Sequence, residues 1–325
     1  MNRETGRRYR NAVSAAAAAA ADPSAARDAR PGLYRKGTPL ELSITADYRT
    51  SRGCPEPYLR RIADAGFSHV HWAYHYHTDF IYSRYEIDQI AAWLDAFGLR
   101  LLDLHASCGV EKKYYSLREY ERLAGVELVR NRIEMAARLG GRVVILHIPG
   151  EPEEEPQRGL FRSQVQKSMD ALQRHAADNG VRIAMENLDR ANVRHLKRLF
   201  AQYDPSFLGF CYDSGHGNLY DRALTDLEAF KDRLIAVHLH DNDGSGDQHL
   251  PLFTGTVDWE RLAAVLARSA YDRCVSMELM TANVEIDSEE SFLESAYRDG
   301  VRFSEMIAAE RAKLAAAAEP SPAGG

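Results

Sequence analysis

Cysteine is scarce and dispersed. Cys54, Cys108, Cys211 and Cys274 are the only four in 325 residues. No two stand at zinc-ribbon or redox-pair spacing, which excludes those classes. Cys211 and Cys274 sit in apolar runs, where a buried, reduced thiol is expected, and a reducing cytoplasm is the expected location. Long apolar runs are missing as well. None approaches the ~18 residues of a membrane span, so no membrane partner is expected. Basic charge is not in excess. The formal net charge of −6 lacks the footprint that nucleic-acid binders usually carry, and nucleic acid is an unlikely partner. No glycine-rich fingerprint follows the first apolar segment, which disfavours a dinucleotide fold. No organic cofactor is expected.

The ends differ in kind from the middle. Residues 1–38 combine arginines, an alanine run, then Pro and Gly. Arg7-Arg8 has the placement of a twin-arginine signal, but the run behind it lacks Leu, Ile and Phe. A disordered extension over 1–38 is expected, and a disordered tail over 316–325. Between them, 39–315 alternates short apolar strand candidates with longer amphipathic stretches, in eight rounds. The strands are PLELSITADY, HVHWAYH, LRLLDLHAS, RVVILHIPG, VRIAMENL, FLGFCYDSG, LIAVHLHD and CVSMELM. Gly66, Gly98, Gly140 and Gly180 follow the amphipathic stretches as helix C-caps do. Eight such units predict an α/β fold, a single-domain (β/α)8 barrel of parallel strands.

A barrel places catalytic groups at the C-terminal ends of its strands. His105, His147, Glu186, Asp213, His238 and Glu278 close strands three to eight, each after a mainly apolar lead-in. A lone histidine at such a place is usually a packing residue. A lone buried glutamate is expensive, and six polar ends in succession point to one shared site. Oxygen and imidazole donors together suit a divalent ion such as Mn²⁺, Mg²⁺, Co²⁺ or Zn²⁺. Paired glutamates also suit proton transfer beside a carbonyl, with an ion stabilising the enediolate.

The motifs IAMENL, CYDSGHGN, VHLHDNDG, DQHLPLFTGTVDW and SMEL, with LDLHAS and LHIPG, resemble the xylose isomerase-like barrels. These include sugar isomerases and epimerases and the AP endonucleases of the endonuclease IV type. The sugar epimerases imply one Mn²⁺-like ion on Glu186, Asp213, His238 and Glu278, with Glu186 and Glu278 as the acid/base pair. His216 then contacts substrate, with His240 a further candidate for substrate binding and Asp241 beside it in the mouth. Similarity to endonuclease IV implies up to three zinc ions and enlists His105, His147, His216, Asp247 and His249 as additional ligands.

Departures weigh on the choice. The nuclease pattern has Asp-Arg-His where this chain has Asp247-Gln248-His249, and Asn where His240 stands. EPEEEP, residues 151–156, is an acidic loop expected to repel a phosphate backbone. On the isomerase side, Phe253 replaces the first glycine of a Pro-Gly-x-Gly turn, and the pattern of free-ketohexose epimerases is absent. HVHWAYHYH offers Trp72, Tyr74 and Tyr76 as a wall for a sugar ring, with His75 and His77 for hydroxyls and His105 as a further substrate contact; ordinary packing is the alternative. Lys112 and Lys113 are candidates for an anionic substituent or are simply solvated. The expected function is a metal-dependent isomerase or epimerase of a sugar or keto-sugar derivative, with Mn²⁺ or Zn²⁺. The alternatives are a multinuclear zinc phosphodiesterase and a keto-sugar dehydratase or eliminase. Homo-oligomerisation stays open.

Overall fold

The computed structural model describes residues 39–107 and 109–318; the extension expected over 1–38, Cys108, and residues 319–325 of the expected tail lie outside the described residues. The eight expected strands form: β1 (Leu42–Thr45), β2 (His69–Trp72), β3 (Arg100–His105), β4 (Val143–Leu146), β5 (Arg182–Glu186), β6 (Leu208–Asp213), β7 (Leu234–His238) and β8 (Val275–Met277). All named pairings are parallel, in the order β7-β6-β5-β4-β3-β2-β1-β8. The ring closes between β7 and β8 through a single bridge, Leu239 to Met277. Leu239 N donates to Ser276 O at 2.9 Å and Glu278 N to Leu239 O at 3.1 Å.

The helices are α1 (Glu56–Asp64), α2 (Arg84–Phe97), α3 (Glu119–Arg138), α4 (Gln157–Asp178), α5 (Arg190–Gln202), α6 (Ser214–Asn218), α7 (Ala223–Phe230), α8 (Trp259–Arg268) and α9 (Glu289–Ala318). Local chemistry explains their limits. Helix α2 starts in a capping box, Ser83 with Glu86, and ends on Gly98 at φ 68°, a left-handed conformation that favours glycine. Its Ile87, Ile90 and Leu94 are buried at helical spacing. Asp258 caps α8 by accepting from Arg261 N. The alanine run carries α9 to Ala318, past the expected end at 315 and into the segment expected to be disordered, because alanine is the strongest helix former. No described helix is long and apolar enough to cross a membrane.

Strand periodicity positions the site. Side chains two apart share a face, so each strand-end group follows a partner two residues back that also points into the barrel. Those partners are Asp103, Ile145, Ala184, Cys211, Ala236 and Ser276. Val143, Ile145, Ala184, Cys211, Ile235 and Ala236 form a small apolar cluster of their own, apart from the larger core under the helices. The inner barrel is therefore apolar low down under β4 to β7, whereas β3 and β8 turn the polar Asp103 and Ser276 inward, and the polar groups of the upper rim are backed by packed side chains.

Candidate metal centre at the barrel mouth

The strand ends converge as expected. One donor atom from each of His105, Glu186, His238 and Glu278 lies within 4.8 Å of all the others. His238 Nδ1 stands 3.1 Å from Glu278 Oε2 and 3.3 Å from Glu186 Oε2. His105 Nε2 is 3.6 Å from Glu186 Oε2 and 3.8 Å from Glu278 Oε1, and His147 Nε2 is 3.1 Å from Glu186 Oε2. Asp213 sits to one side, grouped with Glu186 and His216. Its Oδ1 accepts from His216 N at 2.6 Å, and its Oδ2 lies 3.1 Å from His240 Nε2.

These donors fit a cation better than they fit one another. Glu186 is fully buried, yet neither of its oxygens has a hydrogen bond; the same holds for both nitrogens of His238, Nδ1 of His105 and Nδ1 of His216. Bare buried carboxylate oxygens cost several kcal/mol on the order of magnitude known for buried polar groups. Imidazole nitrogens and carboxylate oxygens aimed at one point are the donor set of a divalent ion.

Electrostatics divide the labour. Burial pushes the Glu186 carboxyl up, but the neighbouring His238 and His147 more than reverse this and hold it well below the usual range. Glu278 is likewise lowered, burial being outweighed mainly by His238. His238, despite burial, is raised well above its ordinary value by Glu278 and Glu186. Burial keeps His105 neutral. His216 is pushed up to about 12 against burial, chiefly by Asp213 and then Asp247. Without an ion, the site balances its carboxylates with protonated histidines.

Asp247 and His249 do join the mouth. Asp247 Oδ2 lies 3.4 Å from His216 Nε2 and 3.2 Å from His249 Nε2. All nine residues of the larger ligand set thus form one connected network. His75 and His249 both hold positive φ, 61° and 50°, and both line the main cavity of about 960 Å³. Strained backbone of this kind gathers at functional sites.

Several expectations need correction. Trp72 and Tyr74 do not line that cavity but a smaller one that adjoins it. In β2 it is His71 that points inward, so Trp72 and Tyr74 face the helix layer, where Trp72 Nε1 donates to Tyr82 OH at 3.0 Å. Tyr76 does reach the mouth: its hydroxyl meets His147 Nδ1, and its ring stacks on His105 at 4.3 Å. His77 lines the cavity too, whereas Lys112 and Lys113 do not. His240 is fully buried behind Asp213, with its ring stacked on His249 at 4.1 Å. Asp241 turns away, accepting from Trp259 Nε1 at 2.8 Å and Val257 N at 3.1 Å. The acidic loop is paired in part. Glu151 is bridged by Arg162 and Arg198 at 2.5 and 2.6 Å, and Glu155 by Arg158 at 3.0 Å, which weakens the expected repulsion of phosphate while Glu153 and Glu154 stay exposed.

Phe253 resolves the altered turn. It takes φ 67°, the conformation glycine would supply. Packing offsets the strain: the ring lies 5.3 Å from Trp259, with the Arg302 guanidinium 3.9 Å over its face.

Three residues in or under the mouth escaped notice in the sequence. Asp47 lines the cavity beyond β1, accepting from Thr45 Oγ1 at 2.5 Å. His71 and Asp103 form a fully buried pair at 2.8 Å, with His71 Nε2 left bare beneath His105 and His238. All three obey the two-residue period of their strands, which is the signal that finds them.

Comparison with known proteins agrees with this geometry. A protein of Sinorhizobium fredii of undescribed activity is 33% identical over 79% of this chain and 91% of its own length. An L-ribulose-5-phosphate 3-epimerase of Salmonella paratyphi A is 26% identical, over 50% of this chain and 59% of that enzyme. Among solved structures, an L-ribulose 3-epimerase aligns with a TM-score of 0.69 at 17% identity, over 87% of this chain and all of the other. A 3-keto-D-glucoside 4-epimerase from E. coli aligns with a TM-score of 0.62 at 19% identity, over 81% and 99%. These two show the shared fold. The model of the family described as xylose isomerase-like TIM barrels matches residues 59–305, and the chain belongs to that family.

Proposed function

We propose that this chain is a metal-dependent isomerase or epimerase of a sugar or keto-sugar derivative, working by proton transfer through an enediolate. One observation carries the reading: Glu186 and Glu278 are two ionised carboxylates aimed at a common point, with no protein hydrogen bond to either oxygen of Glu186. The names of the Salmonella relative and of the similar structures support it. A divalent ion, Mn²⁺ or Zn²⁺, held by Glu186, Asp213, His238 and Glu278 would polarise the carbonyl and hydroxyl oxygens of the sugar.

The chain's own groups then divide the work. One glutamate, ionised, accepts the proton from carbon, and the other, having first taken a proton from solvent, returns that proton to the opposite face. His105 and His216, which both line the mouth, hydrogen-bond the sugar's oxygens. Among the described residues lining the mouth, Arg52 is the one Lys or Arg, which favours an uncharged sugar over a phosphorylated one. Glu278→Gln keeps the shape of the side chain and removes its basicity. It is expected to abolish substrate-dependent exchange of the carbon-bound proton with deuterated solvent, and retained exchange overturns the mechanism. A dehydratase or eliminase shares this first step, and product analysis separates it from an epimerase.

The connected set of nine donors favours one further reading, a zinc phosphodiesterase of the AP endonuclease kind. Three equivalents of zinc in protein purified without chelator, with cleavage of abasic DNA, would establish it in place of the first.

A further inference from the structure

A second cavity, of about 230 Å³, adjoins the mouth, and His75 and Gly53 line both. Its walls are aromatic: Trp72, Tyr74 and Tyr82 on the barrel side, Tyr85 and Trp93 on α2. Two features are not those of ordinary packing. The Tyr74 hydroxyl is buried with no hydrogen-bond partner, although buried hydroxyls are nearly always satisfied. Tyr85 leaves a large ring 79% exposed at the rim.

We infer that this cavity receives a second ring of the substrate, so that the mouth acts on a glycoside rather than on a free monosaccharide. The inference rests on the sugar reading proposed above. Size supports it. Whole-ligand sites occupy roughly 300–1,000 Å³, so 230 Å³ suits a single ring. The mouth, at about 960 Å³, is near the top of that range and leaves a monosaccharide loosely held. Chemistry supports it as well. Trp and Tyr present flat apolar faces with polar edges, and Gln89 and Glu86 stand among the lining residues. These match a ring with an apolar face and hydroxyls at its edge. A cationic occupant is disfavoured because the Arg132 guanidinium already lies 4.4 Å over the Tyr82 ring. An aryl ring and a second sugar ring share the flat face and differ at the edge.

The test is direct binding to the metal-loaded protein, followed by tryptophan fluorescence. The probes are methyl glycosides, phenyl glycosides and disaccharides of the common hexoses. A second ring is expected to tighten binding about tenfold over the methyl glycoside, and Tyr85→Ala to bring the ratio of the two affinities back to within about twofold of one. Tyr85 is exposed, so its truncation does not empty the core. Tyr74→Phe, which keeps the wall and removes the bare hydroxyl, is expected to weaken disaccharides but not phenyl glycosides if the second ring is a sugar, and neither if it is aryl. Equal affinity for one-ring and two-ring probes across the panel, no binding of any probe, or an advantage that survives Tyr85→Ala overturns the inference. Solvent exchange on a monosaccharide without any two-ring advantage sinks this inference and leaves the proposed function. Two-ring binding lost in Tyr85→Ala, with no exchange on any ligand, does the reverse.

Discussion

Gly215 offers the sharpest test of how the site is held. It lies on α6, two residues after Asp213, and a Cβ built there would stand 2.6 Å from His240 Nε2 and closer still to Nδ1 and Cε1. Ordinary contact begins near 3.4 Å, so Gly215→Ala forces the imidazole to move by about an ångström. It has little room to do so. The ring is fully buried, one face stacked on His249, and its backbone N is held by Ser214 Oγ at 3.0 Å. Overpacking of this kind costs about 1–3 kcal/mol. At roughly 2–4 °C per kcal/mol for a domain of this size, Tm should fall by about 2–12 °C. The displaced ring also leaves Asp213 Oδ2 without its 3.1 Å partner. Losing a group that orients a ligand typically weakens metal affinity about 10- to 100-fold. Gly246→Ala, in the same loop region as His249, is the control: nothing lies within 4 Å of its Cβ, and its effect should stay within about 0.5 kcal/mol. Calorimetric Tm and Mn²⁺ or Zn²⁺ titration against a competing chelator read both effects. If Gly215→Ala matches the control in Tm, the packing argument fails. If Tm falls while metal affinity holds, His240 does not position Asp213.

Three further outcomes are expected. His249 is raised to about 10, against burial, chiefly by Asp247; a folded pKa above the unfolded value near 6.5 means its contribution is whole below pH about 6.5 and lost as pH climbs toward 10. Metal-free Tm should therefore decline over that window, while metal affinity rises with pH as His238 gives up its proton; a metal-free Tm that climbs instead refutes the assignment of charge. Asp241→Ala strands the donors of Trp259, Val257 and Asn242 and should cost about 3–9 kcal/mol in chemical denaturation, at about 1–3 kcal/mol per unpaired group; a loss under 1 kcal/mol counts against its structural role. Phe253→Gly relieves the positive φ and Phe253→Ala does not, so the glycine variant should be the more stable of the two by about 1 kcal/mol; equal stabilities would show that the turn is not strained.

The barrel was legible because eight apolar runs, each capped by a polar residue, are hard to read otherwise. The ligand candidates were legible for the same reason: each stands at the end of an inward-facing row. Errors arose where neighbouring residues had to be allotted to opposite faces. In HVHWAYH the aromatic residues drew attention from His71, although one step along a strand reverses the direction of a side chain. Asp241 adjoins His240 and was placed with it for the same reason. The pairing of Glu151 in EPEEEP is not legible locally because its partners, Arg162 and Arg198, lie on α4 and α5. Phe253 stands in a glycine position, and the distant Arg302 and Trp259 that compensate it are not legible locally.

The single bridge between β7 and β8 makes the barrel a ring with a clasp. Most neighbouring strands share three or more paired positions, but these two meet at one. His238 ends the first of them and Glu278 follows the second, their side chains 3.1 Å apart across the gap. Breathing of the ring and dismantling of the site are consequently the same event. The amides of Leu239 and Glu278 become reporters of both: their hydrogen exchange should be the fastest among the inner-strand amides, and it should slow most when the two side chains are tied by a common ligand.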